Sequence, residues 1–340
     1  MPVSFRASVQ SSIIVLAGAV RAVAKTVLVI VPLGLLTACG GSRAPAAPGP
    51  EKPDLVVGAV PAESAVALYI AQQHGIFAAH GLRVKVEAIA STSDIIPDML
   101  NGSIDVASGQ FPGFIAAQAA GVASFHVLAT GLVASPGVNE IVALKSSGIG
   151  APVSLRGKSI SVNALAGDGP LLVDALLATY EIKPGQVTLK ELPFPAMGAA
   201  LAARQVDAAY CTEPYCTEME QQYGARVVAD TDQGAAAGLP IAGYTVTTTW
   251  LHRYPRTAAA FAASIVAASL VADADVAAVQ HALVVSLHLS SQVADVAAPV
   301  SFPTSVIPAE LQQVANLMFE FGELKSYFNV RALTGTHGAG

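Results

Sequence analysis

The residues with the chemistry to act on a small molecule are hydroxyls, amides and carboxylates rather than catalytic groups. The seven histidines show no metal spacing; His281 and His288 would share one helical face, where a packing or surface role suffices. No nucleophile elbow, phosphate loop or dinucleotide fingerprint occurs, so neither a catalytic residue, a metal nor a cofactor is expected, and the chain is read as a non-enzyme. What remains is recognition chemistry at the ends of short apolar runs: Glu63 and Ser64, Ser91 and Ser93, Ser108, Gln110 and Phe111, Asn163, Asp168, Tyr210, Thr212 and Glu213. Hydroxyls and amides offer both donors and acceptors, and carboxylates accept from N–H groups. Ser93 also has the position of a helix N-cap, and Phe111 that of either a stacking ring or a hydrophobic staple. Cys211 and Cys216, in CTEPYC, lack the second ligand pair of a zinc site; they are read as a disulfide closing six residues or as two buried thiols.

These side chains need a scaffold, and the chain can build one. It has 340 residues, 53% of them hydrophobic and only 12% charged, which suffices for one large or two ordinary domains and excludes bulk disorder. Lysines and arginines are few and scattered, so no nucleic-acid surface is expected. From Leu55 onward, short β-branched runs alternate with longer stretches at helical spacing. Strands are predicted over 55–60, 83–90, 105–107, 125–132, 141–144, 159–163, 187–192, 207–210, 227–229 and 244–248. Helices are predicted between the early strands and over 255–272, 276–293 and 308–324. The pattern predicts an α/β fold with helices on both faces of a parallel or mixed sheet. The uncharged stretch Val106–Asn139 is interrupted by Pro112, Gln118, Gly121 and His126, where element boundaries should fall, and is not read as a membrane span.

The first 38 residues read as an address. Arg21 and Lys25 precede an eleven-residue apolar run, Thr26–Leu36, too short for a span of roughly 20 residues. The run ends in Leu36-Thr37-Ala38-Cys39, which resembles a bacterial lipoprotein box and would make Cys39 a lipidated N-terminus. Residues 39–53 have the Gly/Pro-rich composition of a tether. Residues 1–38 hold three basic residues and no acid, so the remainder is acidic, at about −9.

An internal repeat divides the body. At an offset of 102 residues, MLNGSIDVASGQFP (Met99–Pro112) aligns with LAARQVDAAYCTEP (Leu201–Pro214), matching Ile104 with Val206, Asp105 with Asp207, Ala107 with Ala209 and Pro112 with Pro214. Two lobes of like construction follow. The first is read as 54–138, the second as 139–247, and the helices of 248–330 as returning to the first, with a frayed tail over 331–340. Crossings are placed near Gly137–Asn139 and Gly243–Thr248. Ligands of open α/β sheets bind beyond the carboxyl ends of strands, so the strand-end loops of both lobes should line one cleft, Ser108 and Gln110 facing Tyr210 and Thr212.

AVALYIAQQHGIFAAHGLRVKVE (Ala65–Glu87), LNGSIDVA (Leu100–Ala107), SLRGKSISVN (Ser154–Asn163) and ARQVDAAYCTEP (Ala203–Pro214) resemble the motifs of ABC-importer substrate-binding proteins for nitrate, sulfonates, taurine and thiamine-pyrimidine precursors. The resemblance implies a type II periplasmic-binding-protein clamshell, monomeric, lipid-anchored at the outer face of the cell membrane, delivering a small molecule to an ABC permease and its ATPase. It also implies a helix start, after the second lobe's first strand, whose N–H groups hold an anion. Here that position reads Gly167-Asp168-Gly169-Pro170, adding a carboxylate and removing an N–H, with Glu213 as a further acid on the same lobe. A carboxylate beside a sulfonate in a partly desolvated cleft is repulsive, so the expected ligand is a neutral, pyrimidine-like heterocycle or an amine rather than nitrate or a sulfonate. Competing expectations are an enzyme on the same fold, making thiamine-pyrimidine or menaquinone precursors, and a ligand-sensing partner of a membrane receptor.

Overall fold

The computed structural model describes residues 48–297 and 300–335; the expected signal segment and Cys39 lie outside the described residues. The folded unit begins at Pro48 and contains every described strand and helix. In chain order the strands are β1 (Asp54–Ala59), β2 (Arg83–Ala88), β3 (Val106–Gln110), β4 (Phe125–Val133), β5 (Asn139–Leu144), β6 (Ser159–Val162), β7 (Thr188–Glu191), β8 (Ala208–Thr212), β9 (Ala225–Asp230) and β10 (Pro240–Thr247). They form two five-stranded sheets, ordered β2-β1-β3-β10-β4 and β7-β6-β8-β5-β9. In each sheet four strands run one way and one, β10 in the first and β5 in the second, runs antiparallel between the third strand and the edge strand, so the architecture is two-lobed α/β with mixed sheets.

The repeated Asp has a structural reason. Asp105 enters β3 by donating its backbone N–H to Val56 O and accepting Val56 N on its carboxylate, at 2.9 and 3.0 Å. Asp207 does the same before β8, with Ser159 O at 3.0 Å and Ser159 N at 2.8 Å. Each aspartate thus staples its strand to the parallel neighbour on one side. In the first lobe the carboxylate also holds the Lys52 ammonium and the Trp250 indole N–H.

Several boundaries differ from the sequence pattern. The pattern ends the second lobe at 247, but β10 pairs with β3 and β4 of the first sheet, so the chain has already returned by Pro240. The return crossing is therefore the segment after β9, zipped to the outward crossing by Ala134 N–H to Leu239 O at 2.8 Å and Thr231 N–H to Asn139 O at 2.9 Å. Gly243 is not a crossing residue but a packing one: a Cβ there would stand 2.4 Å from Ala129 O and 2.5 Å from the Phe111 ring.

Nor is the tether free to residue 53. Arg256 Nε donates to Gly49 O at 2.9 Å, and the Glu51 carboxylate receives Thr257 N–H at 2.8 Å, so the chain is pinned to the body from Gly49. The stretch Val106–Asn139 is strand, helix and strand. The long apolar helix Pro255–Ala274 packs on the first lobe, with Phe261 stacked on Phe77 at 5.5 Å. Helix Pro308–Glu320 does not simply return to the first lobe; it touches helix Phe111–Ala119 of the first and helix Asp168–Ala178 of the second. Arg331–Thr334, expected to fray, is helical, and its Leu333 is fully buried beside β4; residues 336–340 lie outside the described residues.

Candidate functional site

The carboxyl ends of β1 and β3 in one lobe approach those of β6 and β8 in the other. The Tyr215 hydroxyl of the second lobe donates to Pro61 O of the first at 2.9 Å. A Cβ on Gly113 in the first lobe would lie 3.7 Å from Ala166 O in the second. The lobes are therefore in contact, and the polar residues between them are sealed.

On the second lobe, β6 ends at Val162 and delivers Asn163, 2% exposed, with neither amide atom hydrogen-bonded. Five residues on, Asp168 opens helix Asp168–Ala178. Its Oδ2 lies 3.2 Å from the Tyr210 hydroxyl and its Oδ1 has no hydrogen-bond partner. Burial pushes this carboxyl up to about 6, against the lowering pull of the Tyr210 hydroxyl and the N–H groups of its own helix start. Thr212 ends β8 with its hydroxyl unpartnered, and Glu213 accepts from Thr217 Oγ1 at 2.8 Å and Thr217 N at 3.3 Å. Cys211 and Cys216 are joined by a disulfide, Cα to Cα 5.4 Å, which clasps the turn bearing Thr212, Glu213 and Tyr215.

On the first lobe, Glu63 and Ser64 occupy the 3-10 turn after β1. Glu63 is 1% exposed with Oε2 unpartnered, and Ser64 O accepts from the Tyr244 hydroxyl at 3.3 Å. Burial raises Glu63 well above the usual carboxylate range, and the charge of Glu213 raises it further. Ser108 is buried on β3 opposite Tyr244.

The remaining expected residues are engaged within their own lobes. The cap of helix Thr92–Asn101 is Ser91, whose hydroxyl accepts Asp94 N–H; Ser93 is exposed beside it. Gln110 turns back within its own lobe, its carbonyl accepting the Thr92 hydroxyl at 2.8 Å, rather than facing Thr212. Tyr210 likewise reaches Asn139 Oδ1 and Asp168 Oδ2, both at 3.2 Å, and not Ser108. Phe111 is 1% exposed in the core against Gly243, a packing ring and not a stacking platform.

Sequence patterning missed the group that ties the site to the crossings. Asp232, 1% exposed, accepts Asn139 N–H at 2.9 Å and the Asn139 side-chain amide at 2.9 and 3.0 Å. Burial pushes it up to about 7 despite those hydrogen bonds. Glu140 beside it rises to about 8, by burial and by the charges of Glu213, Glu220, Asp230 and Asp232. The visible signal was the run Asp230-Thr231-Asp232 between apolar segments.

Leaving a buried polar group without a partner costs about 1–3 kcal/mol, and native proteins hold few such groups. Glu63, Asn163, Asp168 and Thr212 together hold five such atoms at the strand ends. The buried charged residues among those described are Glu63, Asp105, Asp168, Glu213 and Asp232, with no Lys or Arg. Among the described residues no group of three or more His, Cys, Asp or Glu side chains is arranged to hold a metal ion. The arrangement offers unpartnered hydrogen-bonding atoms from both lobes to a small polar molecule.

Known proteins share this architecture. The alkanesulfonate-binding protein of Xanthomonas axonopodis pv. citri, solved bound to MOPS, superposes with a TM-score of 0.72 at 19% identity over 83% of this chain and 98% of that one. The periplasmic nitrate-binding protein of Synechocystis PCC 6803 gives 0.73 at 16% identity, over 84% and 86%. The fold is thus the two-lobed clamshell of periplasmic binding proteins. The taurine-binding periplasmic protein of Escherichia coli (strain K12) is 29% identical over 200 residues, 58% of this chain; the match spans 60% of that relative's length. The NMT1-like family model matches residues 48–286, most of the described body and both sheets, and the chain belongs to the NMT1-like family.

Proposed function

We propose that this protein is the extracytoplasmic solute-binding component of an ABC importer. It captures a small molecule between its lobes and passes it to a permease driven by an ATPase. Its anchor is a lipid on Cys39, its working form is a monomer, and it performs no chemistry on the solute. The single observation that carries this reading is the sealed set of unpartnered polar atoms on Glu63, Asn163, Asp168 and Thr212, gathered from strand ends of both lobes. Membership of the NMT1-like family and the likeness to binding proteins support it.

Although the relatives are named for taurine, alkanesulfonate and nitrate, the ligand proposed here is a neutral, pyrimidine-like heterocycle or an amine. The strand-end polar groups include three buried carboxylates and no base, and a desolvated anion beside them would be repelled. Isothermal titration of the body from Gly40 onward with taurine and with an aminopyrimidine tests the ligand class. The aminopyrimidine is expected to bind and taurine not; tight taurine binding alone reverses the class. Native mass spectrometry of the purified protein is expected to show a co-purified small molecule.

A further inference from the structure

Glu63 borders a second space. It is one of the residues in the wall of a cavity of about 200 Å³ whose other walls come from helices Pro255–Ala274 and Val276–Leu287 and the segment after them. Val279, Leu283 and Phe302 make the cavity apolar, and the exposed carboxylates of Asp273 and Asp295 stand on it. Among the described residues, no Lys, Arg or His lines it.

The turn that carries Glu63 is also where the lobes touch. Two residues before Glu63, Pro61 O accepts the hydroxyl of Tyr215, which lies two residues after Glu213. One carboxylate from each lobe is thus brought to the same junction as the lobes meet. Glu213 has Thr217 N–H and hydroxyl as donors, whereas Glu63 Oε2 has none. Two buried acids pressed together oppose closure unless a positive charge stands with them. A largely apolar cavity with the unpartnered acid Glu63 in its wall supplies the space for a short chain and a partner for its charged end.

We propose that the solute presents a compact cationic group, a protonated amine or amidinium, to Glu63 in this cavity with Glu213 beside it, and that this charge holds the lobes together. The proposal rests on the solute-receptor reading and narrows its ligand class to a cation.

Three matched probes test it by isothermal titration on the body from Gly40 onward, with small-angle scattering in parallel: butylamine, butanol and butanesulfonate. Butylamine is expected to bind and make the protein more compact, butanol to bind at least tenfold more weakly, and butanesulfonate not to bind. Loss of a charge-assisted partner weakens such contacts about tenfold or more, so Glu63→Gln is expected to reduce butylamine affinity by that factor. The same variant is expected to melt at a higher temperature without solute, because the repulsion from Glu213 is gone. Glu213→Gln, at the other lobe, should weaken butylamine as well and serves if the first variant does not fold.

Tighter binding of butanesulfonate than of butylamine, or butylamine affinity unchanged in both variants, overturns the cationic assignment and leaves the receptor reading in place. The receptor reading fails separately, taking this proposal with it, if no co-purified molecule is found and none of these probes, taurine or an aminopyrimidine alters the scattering.

Discussion

At the residue scale, burial rather than composition sets the chemistry of this protein. Asp168, Glu140 and Asp232 are pushed up to about 6, 8 and 7, chiefly because burial makes charging them costly, Glu140 being only partly buried and raised by neighbouring acids as well. A carboxyl with a raised native pKa contributes stability fully below its unfolded value and loses it as pH climbs through the native one. The solute-free protein is therefore expected to be more stable near pH 5 than near pH 8, the loss starting in the ordinary carboxylate range at about 4 and being complete by about 8. Thermal melts across that range check it; a melting temperature that rises from pH 5 to pH 8 contradicts it. Gly243 makes a second point at this scale. Its missing side chain lets β10 lie against Ala129 O and the Phe111 ring, so Gly243→Ala forces backbone apart and is expected to cost about 1–3 kcal/mol in denaturant unfolding.

At the element scale, the turn from β8 into helix Tyr215–Tyr223 combines three tasks. It supplies Thr212 and Glu213, carries the Tyr215 contact to the other lobe, and is closed by the Cys211–Cys216 disulfide. Tyr215 is further fixed by its stack on Phe194, centroids 5.5 Å apart. Replacing both cysteines by alanine is expected to lower unfolding stability by about 2 kcal/mol through loop entropy alone. Hydrogen exchange should rise first at 212–217, and a double variant with unchanged exchange there would show that the turn is held by packing instead. The paired aspartates Asp105 and Asp207 illustrate the same logic in the strands. The repeat persists in the fold because in each lobe one carboxylate receives an N–H near the start of the neighbouring parallel strand.

At the scale of the whole molecule, two crossings join the lobes and Asp232 clips them. It reaches Asn139 across 93 residues and also receives Ser135 N–H at 3.2 Å, so one carboxylate binds both segments. Asp232→Ala would strand the Asn139 amide in the interior. It is expected to cost about 3 kcal/mol and to raise hydrogen exchange at both crossings together, while Asp230→Ala, nearer the surface, should change far less. Helix Pro308–Glu320 adds a second tie between the lobes by packing on helices of both.

The sequence alone determined the alternation of strands and helices, the twofold repeat and the carboxylates at strand ends. All of these are local: side-chain period, turn residues and the staple Asp are written within ten or fifteen consecutive positions. Asp168 and Glu213 were legible as strand-end carboxylates for that reason, since each lies in the loop or turn where a strand must stop. Only the tertiary structure decided that the chain returns to the first sheet at Pro240, that Asp232 clips Asn139, that Gln110 turns back to Thr92, and that Glu63 stands in the wall of a cavity under the C-terminal helices. Each of these depends on a partner distant in sequence or on a space bounded by several segments, and hydrophobic periodicity carries no record of which distant atoms meet.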